Sequence, residues 1–365
     1  MMKAAVNNAN NISCVNGIWR SFIQSQGAVR VAEHVQHFGN ALMERRAAAH
    51  ENILAERADF TLIRARGEGA LEFLNAQLSN DIQLVDATHS QLASWCSPRG
   101  RMLVIFRIFR RGEDYYLHFP AGLQETVLKR LRMYVLRAKV TLAVADSELR
   151  VFGLSGPHAE NMLRESAGFA PGSVDGCETQ AEITVIRVAG SLPRFEIIAP
   201  PAAAAGLWEK LKRGAIPVGS PVWAWLDIMA GIPRVLPETS EAFVPQMANL
   251  EVIGGVNFKK GCYPGQEIVA RMQYLGNLKQ RMYRAHVDGD IAPRPGESIY
   301  APNFPGQSAG TVVDAQASPQ SGFDLLAVIQ INSATAGELH LGSKTGPTLA
   351  LQPLPYTFPP ATRTE

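Results

Sequence analysis

The sequence has 365 residues, of which 46% are hydrophobic and 19% are charged, and its formal net charge is +2. This length suffices for about two or three domains. The near-neutral charge argues against a nucleic acid or a membrane surface as the main partner. No run of about twenty apolar residues occurs, so no transmembrane helix is expected, and the Asn-rich N-terminus has the features of neither a signal peptide nor an anchor.

The four cysteines, Cys14, Cys96, Cys177 and Cys262, are scattered along the chain and form no CxxC pair. Such sparse usage fits a reducing cytoplasm better than a disulfide framework. No histidine cluster lies beside them, so neither a zinc site nor another stably bound metal is expected. The sequence therefore predicts a cytoplasmic protein without a resident metal.

Residues 1–54 are interpreted as an N-terminal extension, in which Ala28 to Ala49 could hold a helix. A first α+β unit is predicted over 55–146, completed by 221–278. It contains a strand at Phe60 to Arg66, a helix, β runs at 92–96, 102–109 and 115–119, a second helix, and a closing strand. The mixture of short β runs with apolar helical faces indicates an α+β fold.

A second unit over 147–220 repeats this order of elements: strand, glycine turn, helix, hairpin, helix. We interpret the repeat as a weak internal duplication of α+β units, judged by pattern rather than identity. A helix at Val222 to Met229 and a Pro- and Gly-punctuated segment from Gly231 to Gly265 follow. Because this segment is apolar and carries no charge run, we expect it to be ordered and functional.

The C-terminal region differs from the two units in its sequence pattern. Short β runs alternate with Pro, Gly and Ser turns over 279–358, which predicts a small antiparallel barrel or sandwich. Residues 359–365 are interpreted as a tail.

The stretch KKGCYPGQE, residues 259–267, holds the cysteine with the most unusual surroundings. Pro264 suits the first turn of a helix that Gln266 to Met272 can continue. Cys262 would then precede a helix N-terminus, where the helix dipole and Lys259 and Lys260 favour a thiolate. Such a thiolate can be a nucleophile, a redox thiol or a soft-metal ligand. The alternative is a small buried residue in a tight turn.

These residues resemble a known family. KGCYPGQE matches the KGCYxGQE signature of the YgfZ proteins, and the flanking run from 243 to 271, the segment FLNAQLSNDI at 73–82 and the end LALQPLPYTF resemble the same family. The resemblance spans roughly 55–358. Its signature residues are Lys260, Gly261, Cys262, Tyr263, Gly265, Gln266 and Glu267.

The YgfZ family is related to the T-protein of the glycine cleavage system, an aminomethyltransferase that uses tetrahydrofolate. The resemblance implies a GcvT/YgfZ-like three-domain architecture: two α+β units in a ring with a C-terminal β-barrel, around a folate-sized channel. It also implies tetrahydrofolate or a derivative as the cofactor.

Two departures from the T-protein pattern argue against its transfer chemistry. Val104 and Ile105 stand where T-proteins carry acids, and apolar side chains cannot relay a proton. Asp227 stands where T-proteins carry an arginine. A T-protein aminomethyltransferase activity is therefore not expected, although whether the protein is an enzyme stays open.

The resemblance also suggests folate contacts. In T-proteins a glutamate after an aromatic residue holds the pterin, and Glu196 in Arg194-Phe195-Glu196 is the matching candidate, with arginine replacing glycine. Asn80 and Asp81 could line the same channel, or cap a helix or turn. Tyr263 is a further candidate, either for the cofactor or for positioning the turn.

The function implied by the resemblance is a tetrahydrofolate-binding factor that supports assembly or repair of iron–sulfur clusters in a subset of enzymes, including those that methylthiolate tRNA. Cys262 would be the working residue, and Lys260 could assist it through its field. The implied partners are folate and, transiently, iron–sulfur enzymes or cluster-assembly proteins, with no direct contact to nucleic acid or membrane. Two alternatives are a one-carbon transferase acting on an unknown acceptor and a scaffold in which Cys262 only packs.

Overall fold

The computed structural model describes residues 17–274, 276 and 278–358. Cys14 and most of the Asn-rich N-terminus lie outside these residues. The described chain begins with helix α1 (17–25), strands β1 (Val29–Val31) and β2 (His34–His37), helix α2 (Ala41–His50) and strand β3 (Ile53–Glu56). No helix within the described ranges is long and apolar enough to cross a membrane.

The stretch from Ala28 to Ala49 holds a helix, as the sequence allowed, but its first half is extended. Strands β1 and β2 form an antiparallel hairpin there, and only α2 is helical. The β-branched Val29, Val31 and Val35 favour extended backbone, whereas the alanine-rich stretch after Asn40 favours helix. The Asn40 side chain caps α2 by accepting a hydrogen bond from the Met43 amide.

The first α+β unit is an antiparallel five-stranded sheet in the order β5-β6-β7-β4-β8. Two helices, α3 and α4, supply apolar side chains to the core that covers it. The elements are β4 (Phe60–Arg66), α3 (Ala70–Gln77), β5 (Gln91–Cys96), β6 (Met102–Arg111), β7 (Asp114–Pro120), α4 (Gln124–Met133) and β8 (Thr141–Val144).

The second unit is a six-stranded sheet in the order β10-β11-β12-β9-β3-β13, antiparallel except for the β3–β13 pair. Its elements are β9 (Arg150–Ser155), α5 (Ala159–Ala167), β10 (Cys177–Gln180), β11 (Ile183–Val188), β12 (Arg194–Ala199), α6 (Pro201–Leu211) and β13 (Ile216–Val218). Strand β3 is an inner strand of this sheet, and Trp19 and Ile23 of α1 join its core. Trp19, Ile23 and strand β3, all of which precede position 57, therefore help to complete the second unit.

Helix α7 (Ser220–Met229) links the units to the segment that precedes α8 (Gln266–Tyr274). As expected, this segment is ordered rather than irregular and exposed. It contains 3-10 turns at Pro237–Thr239 and Pro245–Ala248, and it buries Phe243, Ala248 and Leu250 in the core of the first unit.

The C-terminal region is an antiparallel sheet in the order β18-β15-β16-β17-β14-β19. Its elements are β14 (Gln280–Val287), β15 (Ser298–Tyr300), β16 (Gly310–Ala317), β17 (Phe323–Gln330), α9 (Ile331–Ala336), β18 (His340–Leu341) and β19 (Leu349–Gln352). A bridge between His340 and Thr348 brings the two edges together. The predicted fold class, two α+β units of similar pattern with a C-terminal antiparallel β domain, is confirmed.

Candidate functional site

Residues 259–267, here called the signature loop, lead into α8, which begins at Gln266. The helix predicted after Cys262 is present, but Pro264 lies in the turn before it rather than in its first turn. The Gln266 amide donates to the Tyr263 carbonyl at 3.1 Å, and the Val269 amide donates to the Gly265 carbonyl at 3.2 Å. Cys262 lies just before this turn, and its thiol is free and exposed. The loop thus presents the sulfur to solvent at the start of a helix.

Gly265 fixes the loop against the turn formed by residues 97–100. Its φ is +80°, and a Cβ added to it would lie 2.4 Å from the Ser97 carbonyl oxygen and 2.7 Å from Gly100. Gly100 has a φ of +72°, and a Cβ added to it would lie 2.9 Å from the Cβ of Ile268. Only glycine combines this backbone with this approach. The glycine of the signature is therefore required by packing between two turns.

Lys260 holds the other side of the loop. Its Nζ donates to the carbonyl oxygens of Asn75, Leu78 and Asn80 at 2.5, 2.6 and 3.0 Å. Two of these carbonyls lie at the C-terminal end of α3, where they lack helical partners. Burial lowers the pKa of Lys260 to about 8, against the opposing charge of Asp81. These contacts make Lys260 a clamp between the loop and α3.

Asn80 and Asp81 lie beneath the same loop. The Asn80 Nδ2 donates to the carbonyls of Leu92 (2.8 Å) and Gly254 (2.7 Å), and its Oδ1 accepts from the Asp81 amide. The Asp81 carboxylate accepts from the Gln83 amide, which caps a short 3-10 turn. Asn80 thus ties its turn to the segments at Leu92 and Gly254, Asp81 caps a local turn, and neither lines the cavity around Glu196 described below.

Tyr263 points inward from the loop. Its side chain is buried, and the Lys260 Nζ lies 5.3 Å from the centre of its ring. Burial, assisted by the charge of Cys96, raises the pKa of the Tyr263 phenol. By contrast, Gly261 and Glu267 are exposed on the surface of the signature loop. The signature therefore combines inward anchors with an outward face that carries Cys262.

The other described cysteines have a different environment. Cys96 and Cys177 are buried, and burial raises the pKa of each thiol to about 12. The Ser94 hydroxyl, 3.4 Å from the Cys96 sulfur, opposes this shift only partly. Within the described residues, Cys262 is the one cysteine open to reagents or partners.

Glu196 lies in a cavity of about 50 Å³ between the two α+β units, here called the Glu196 cavity. Its Oε1 accepts from Arg57 Nη1 at 3.1 Å, and its Oε2 lies 3.5 Å from His118 Nδ1 and 3.8 Å from Arg107 Nε. Burial opposes ionisation, but the nearby His118, Arg57 and Arg107 outweigh it and lower the pKa of Glu196. The group is therefore a buried carboxylate.

Arg57 forms one wall of this cavity. Its guanidinium lies 4.2 Å from the centre of the Phe60 ring and 5.4 Å from that of Trp223, and its Nε donates to Asp59 at 3.0 Å. Cation–π contacts and ion pairs together fix its plane. Arg57 therefore presents fixed donors to whatever occupies the space beside it.

The two sequence departures at 194 and 227 are partners in the structure. Arg194 Nη2 donates to Asp227 Oδ1 at 2.6 Å, and both side chains are buried. An arginine in place of glycine and an aspartate in place of arginine thus compensate each other in charge. The third departure also reaches the site, because Ile105 lines the Glu196 cavity with an apolar side chain.

The polar groups of the cavity fit the edge of a pterin. Glu196 Oε2, His118 Nε2 and Arg57 Nη2 are buried and have no hydrogen-bond partner among the described residues. One acceptor and two donors in a confined space match an amino-pyrimidine edge with its carbonyl. The void, however, has room for only a few water molecules. A bound pterin would have to displace lining side chains.

Sequence reasoning missed Arg57, Arg107 and His118. They come from three separated segments and belong to no motif. One signal could have found two of them: Arg107 follows Ile105 on β6, and His118 precedes Pro120 on β7, so each lies on the same strand face as another lining residue. As for metal sites, no group of three or more His, Cys, Asp or Glu side chains within the described ranges could hold a metal ion.

Comparisons with known proteins agree with this architecture. The family model of the GCVT N-terminal domain matches residues 19–260. The tRNA-modifying protein YgfZ of Colwellia psychrerythraea is 30% identical over 317 residues, covering 84% of this chain and 94% of the relative. The protein of the same name from Serratia proteamaculans is 28% identical over 303 residues, covering 82% and 91%.

A solved structure shares the fold. The glycine cleavage system aminomethyltransferase T from Bartonella henselae superposes with a TM-score of 0.76, covering 92% of this chain and 95% of that one. Its sequence identity is 18%, so the likeness concerns the fold alone. It supports the three-part architecture of two α+β units and a C-terminal β domain.

Proposed function

The chain belongs to the YgfZ family, and from that premise we propose that it is a tetrahydrofolate-binding factor that supports assembly or repair of iron–sulfur clusters in a subset of enzymes, including those that methylthiolate tRNA. Cys262 is the working residue, and the iron–sulfur cluster is cargo rather than a resident group. The partners are iron–sulfur enzymes or cluster-assembly proteins, bound transiently. A reducing cytoplasm is the compartment that suits a free, exposed thiol.

The observation that carries this proposal is the exposure of Cys262 on a loop that three nearby residues anchor. Gly265 interlocks with the turn at 97–100, Lys260 clamps α3, and Tyr263 is buried. Packing alone needs no solvent-facing sulfur. A thiol that must meet a macromolecular partner needs both exposure and a fixed position, and the loop supplies both.

The Glu196 cavity supports the folate part of the proposal. Glu196 would accept from the amino-pyrimidine edge of the pterin, and His118 and Arg57 would donate to it through their unpartnered nitrogens. Bound tetrahydrofolate would supply one-carbon or redox chemistry. This chain's residues would bind and orient the pterin and exclude water from it.

A one-carbon transferase finds less support. Ile105 faces the cavity at a position where a T-protein has an acid, and it can neither hold nor move a proton. Turnover of methylene-tetrahydrofolate by the purified protein would nevertheless favour this alternative over the first proposal.

The role of the thiol is tested by complementation. Cells lacking the gene receive the wild type, Cys262→Ser or Cys177→Ala, and methylthiolated tRNA is quantified. We expect the wild type and Cys177→Ala to restore the modification and Cys262→Ser to fail. Cys177→Ala is the matched control because it removes a buried thiol. Equal rescue by Cys262→Ser would show that the thiol is not required.

The folate site is tested separately, by titration of purified protein with tetrahydrofolate. Glu196→Gln should weaken binding roughly tenfold or more, because a charged acceptor is lost from a buried site. Glu267→Gln removes the same charge from the exposed signature loop and should bind as the wild type does. A Glu196→Gln protein with undiminished affinity would remove Glu196 from the folate site.

A further inference from the structure

A second cavity, of about 440 Å³, shares Arg57 and Phe60 with the Glu196 cavity. Its other lining residues come from α1, the β1–β2 hairpin, the end of β3, β4, position 121 and the segment 146–151, and it is here called the N-terminal chamber. Its volume falls within the range of pockets that hold small organic ligands. Neither the signature loop nor the proposed folate contacts of Glu196 account for it.

Glu56, on the floor of the chamber, is fully engaged by other donors. Its Oε1 accepts from Trp19 Nε1 at 3.2 Å, and its Oε2 accepts from the Ala58 amide at 3.0 Å. Arg30 Nη2 approaches the same carboxylate only to 3.9 Å. At that distance the contact is an ion pair without a hydrogen bond.

The other two carboxylates of the chamber are also engaged. Asp146 accepts from the Thr61 hydroxyl at 2.6 Å and from the Leu62 amide at 2.7 Å. Glu33 accepts from Arg20 through both of its oxygens, at 3.0 and 3.1 Å. The acids that line the chamber are thus occupied by donors other than Arg57.

Two guanidinium nitrogens in the chamber walls lack a hydrogen-bond acceptor among the described residues. Arg30 Nε and Arg57 Nη2 are buried and make no hydrogen bond within the part of the chain that the structure describes. The side chains are 10% and 1% exposed, respectively. Buried donors of this kind are rare in native proteins, and an acceptor oxygen would satisfy them.

Charged side chains of both signs line the walls. They are Arg20, Arg30, Arg57 and Arg150 with Glu33, Glu56 and Asp146, and Arg57 is also paired with Asp59 and Glu196 outside the chamber. Beside them lie the apolar side chains of Phe60, Leu62, Leu149 and Val151. The chamber therefore combines unsatisfied cationic donors with an apolar surface.

We infer that the N-terminal chamber binds a small organic oxyanion, a carboxylate or phosphate group on an apolar body, with Arg30 and Arg57 donating to its oxygens. The ligand is additional to the folate proposed for the Glu196 cavity. Because Arg57 borders both spaces and its Nη2 carries two hydrogens, this nitrogen would donate one hydrogen to the oxyanion and the other to the pterin.

The test is calorimetric titration of the purified full-length protein, in chloride buffer at neutral pH, with benzoate and with phenyl phosphate as probes. We expect saturable binding of at least one probe, and the preferred probe distinguishes a carboxylate from a phosphate ligand. Arg30→Gln should weaken binding roughly tenfold or more, as expected for loss of a charged donor. Arg213→Gln removes the same charge from an exposed turn outside the chamber and should leave the affinity unchanged.

A second variant guards against disruption of the hairpin by Arg30→Gln. Ala121→Trp introduces a large side chain at the chamber wall without removing a polar contact of a side chain. It should abolish binding while thermal unfolding shows a folded protein. Failure of the wild type to bind either probe at millimolar concentration would overturn the inference, as would undiminished binding by folded Ala121→Trp or Arg30→Gln.

Discussion

The signature loop and the Glu196 cavity differ in how their residues come together. The loop is a continuous stretch of nine residues whose anchors, Gly265, Lys260 and Tyr263, are neighbours in sequence. The cavity collects Arg57, Arg107, His118 and Glu196 from four strands or strand ends of two units. The loop exposes its cysteine to solvent, whereas the cavity buries several charged side chains against one another.

This difference shows where each site is vulnerable. A contiguous loop depends on local backbone geometry, so a single methyl group can dislodge it. A cavity assembled from distant charges depends on mutual compensation, because each buried charge needs its partner. The following predictions test that contrast, in order of decreasing expected effect.

The largest effect is expected for the Arg194–Asp227 pair. Arg194→Met leaves Asp227 buried without its cation and should lower the free energy of unfolding by about 4 kcal/mol. The double variant Arg194→Met/Asp227→Leu should recover at least about half of that loss, because it removes both charges. Denaturant unfolding of the four proteins in the cycle measures this. Strictly additive losses would show that the two side chains are not compensating partners.

For the loop, Gly265→Ala should lower the free energy of unfolding by about 2 to 3 kcal/mol, because it combines a positive φ with a clash against backbone. Gly261→Ala is the control. Gly261 lies in the same loop, has no atom within 4 Å of an added Cβ, and has no positive φ. Its substitution should cost less than about 0.5 kcal/mol. Equal losses of stability in the two variants would show that the contact between Gly265 and the turn at 97–100 does not constrain the loop.

Glu196→Gln should lower the free energy of unfolding by about 2 kcal/mol at neutral pH. Because the pKa of Glu196 is lowered from its ordinary 4.5 in the folded protein, its contribution is present above that pH and is lost as the pH falls through the folded value. The stability difference between the wild type and Glu196→Gln should therefore shrink as the pH falls below about 4.5. A pH-independent difference would contradict the ion-pair interpretation.

The smallest effect on stability is expected for the thiol. Cys262→Ser should change the free energy of unfolding by less than about 0.5 kcal/mol, since the side chain is exposed. In the native protein, iodoacetamide should modify Cys262 and leave the buried Cys96 and Cys177 unmodified, as peptide mass spectrometry would show. A loss well above that stability limit would mean that the sulfur packs rather than reacts.

Much of the fold was predictable from the sequence. The strand at 60–66 and the helix ending at Met229 occupy the predicted places, because hydrophobic periodicity is a local property. The stretch 28–49, in which the sequence allowed a helix, holds α2 but also the β1–β2 hairpin, because short β-branched runs depend on partners outside the window. The position of β3 as an inner strand of the second sheet is likewise a non-local pairing that no sequence period encodes.

By itself the sequence determined many of the helices and strands, the family, and the signature loop with the helix that follows it. Only the tertiary structure decided that Lys260 clamps three carbonyls, that Arg194 compensates Asp227, and that Arg57, Arg107 and His118 surround Glu196. The physical reason is the separation along the chain over which each interaction acts. Backbone preferences act over a few residues and leave a pattern, whereas buried charges are paired across more than thirty residues by packing.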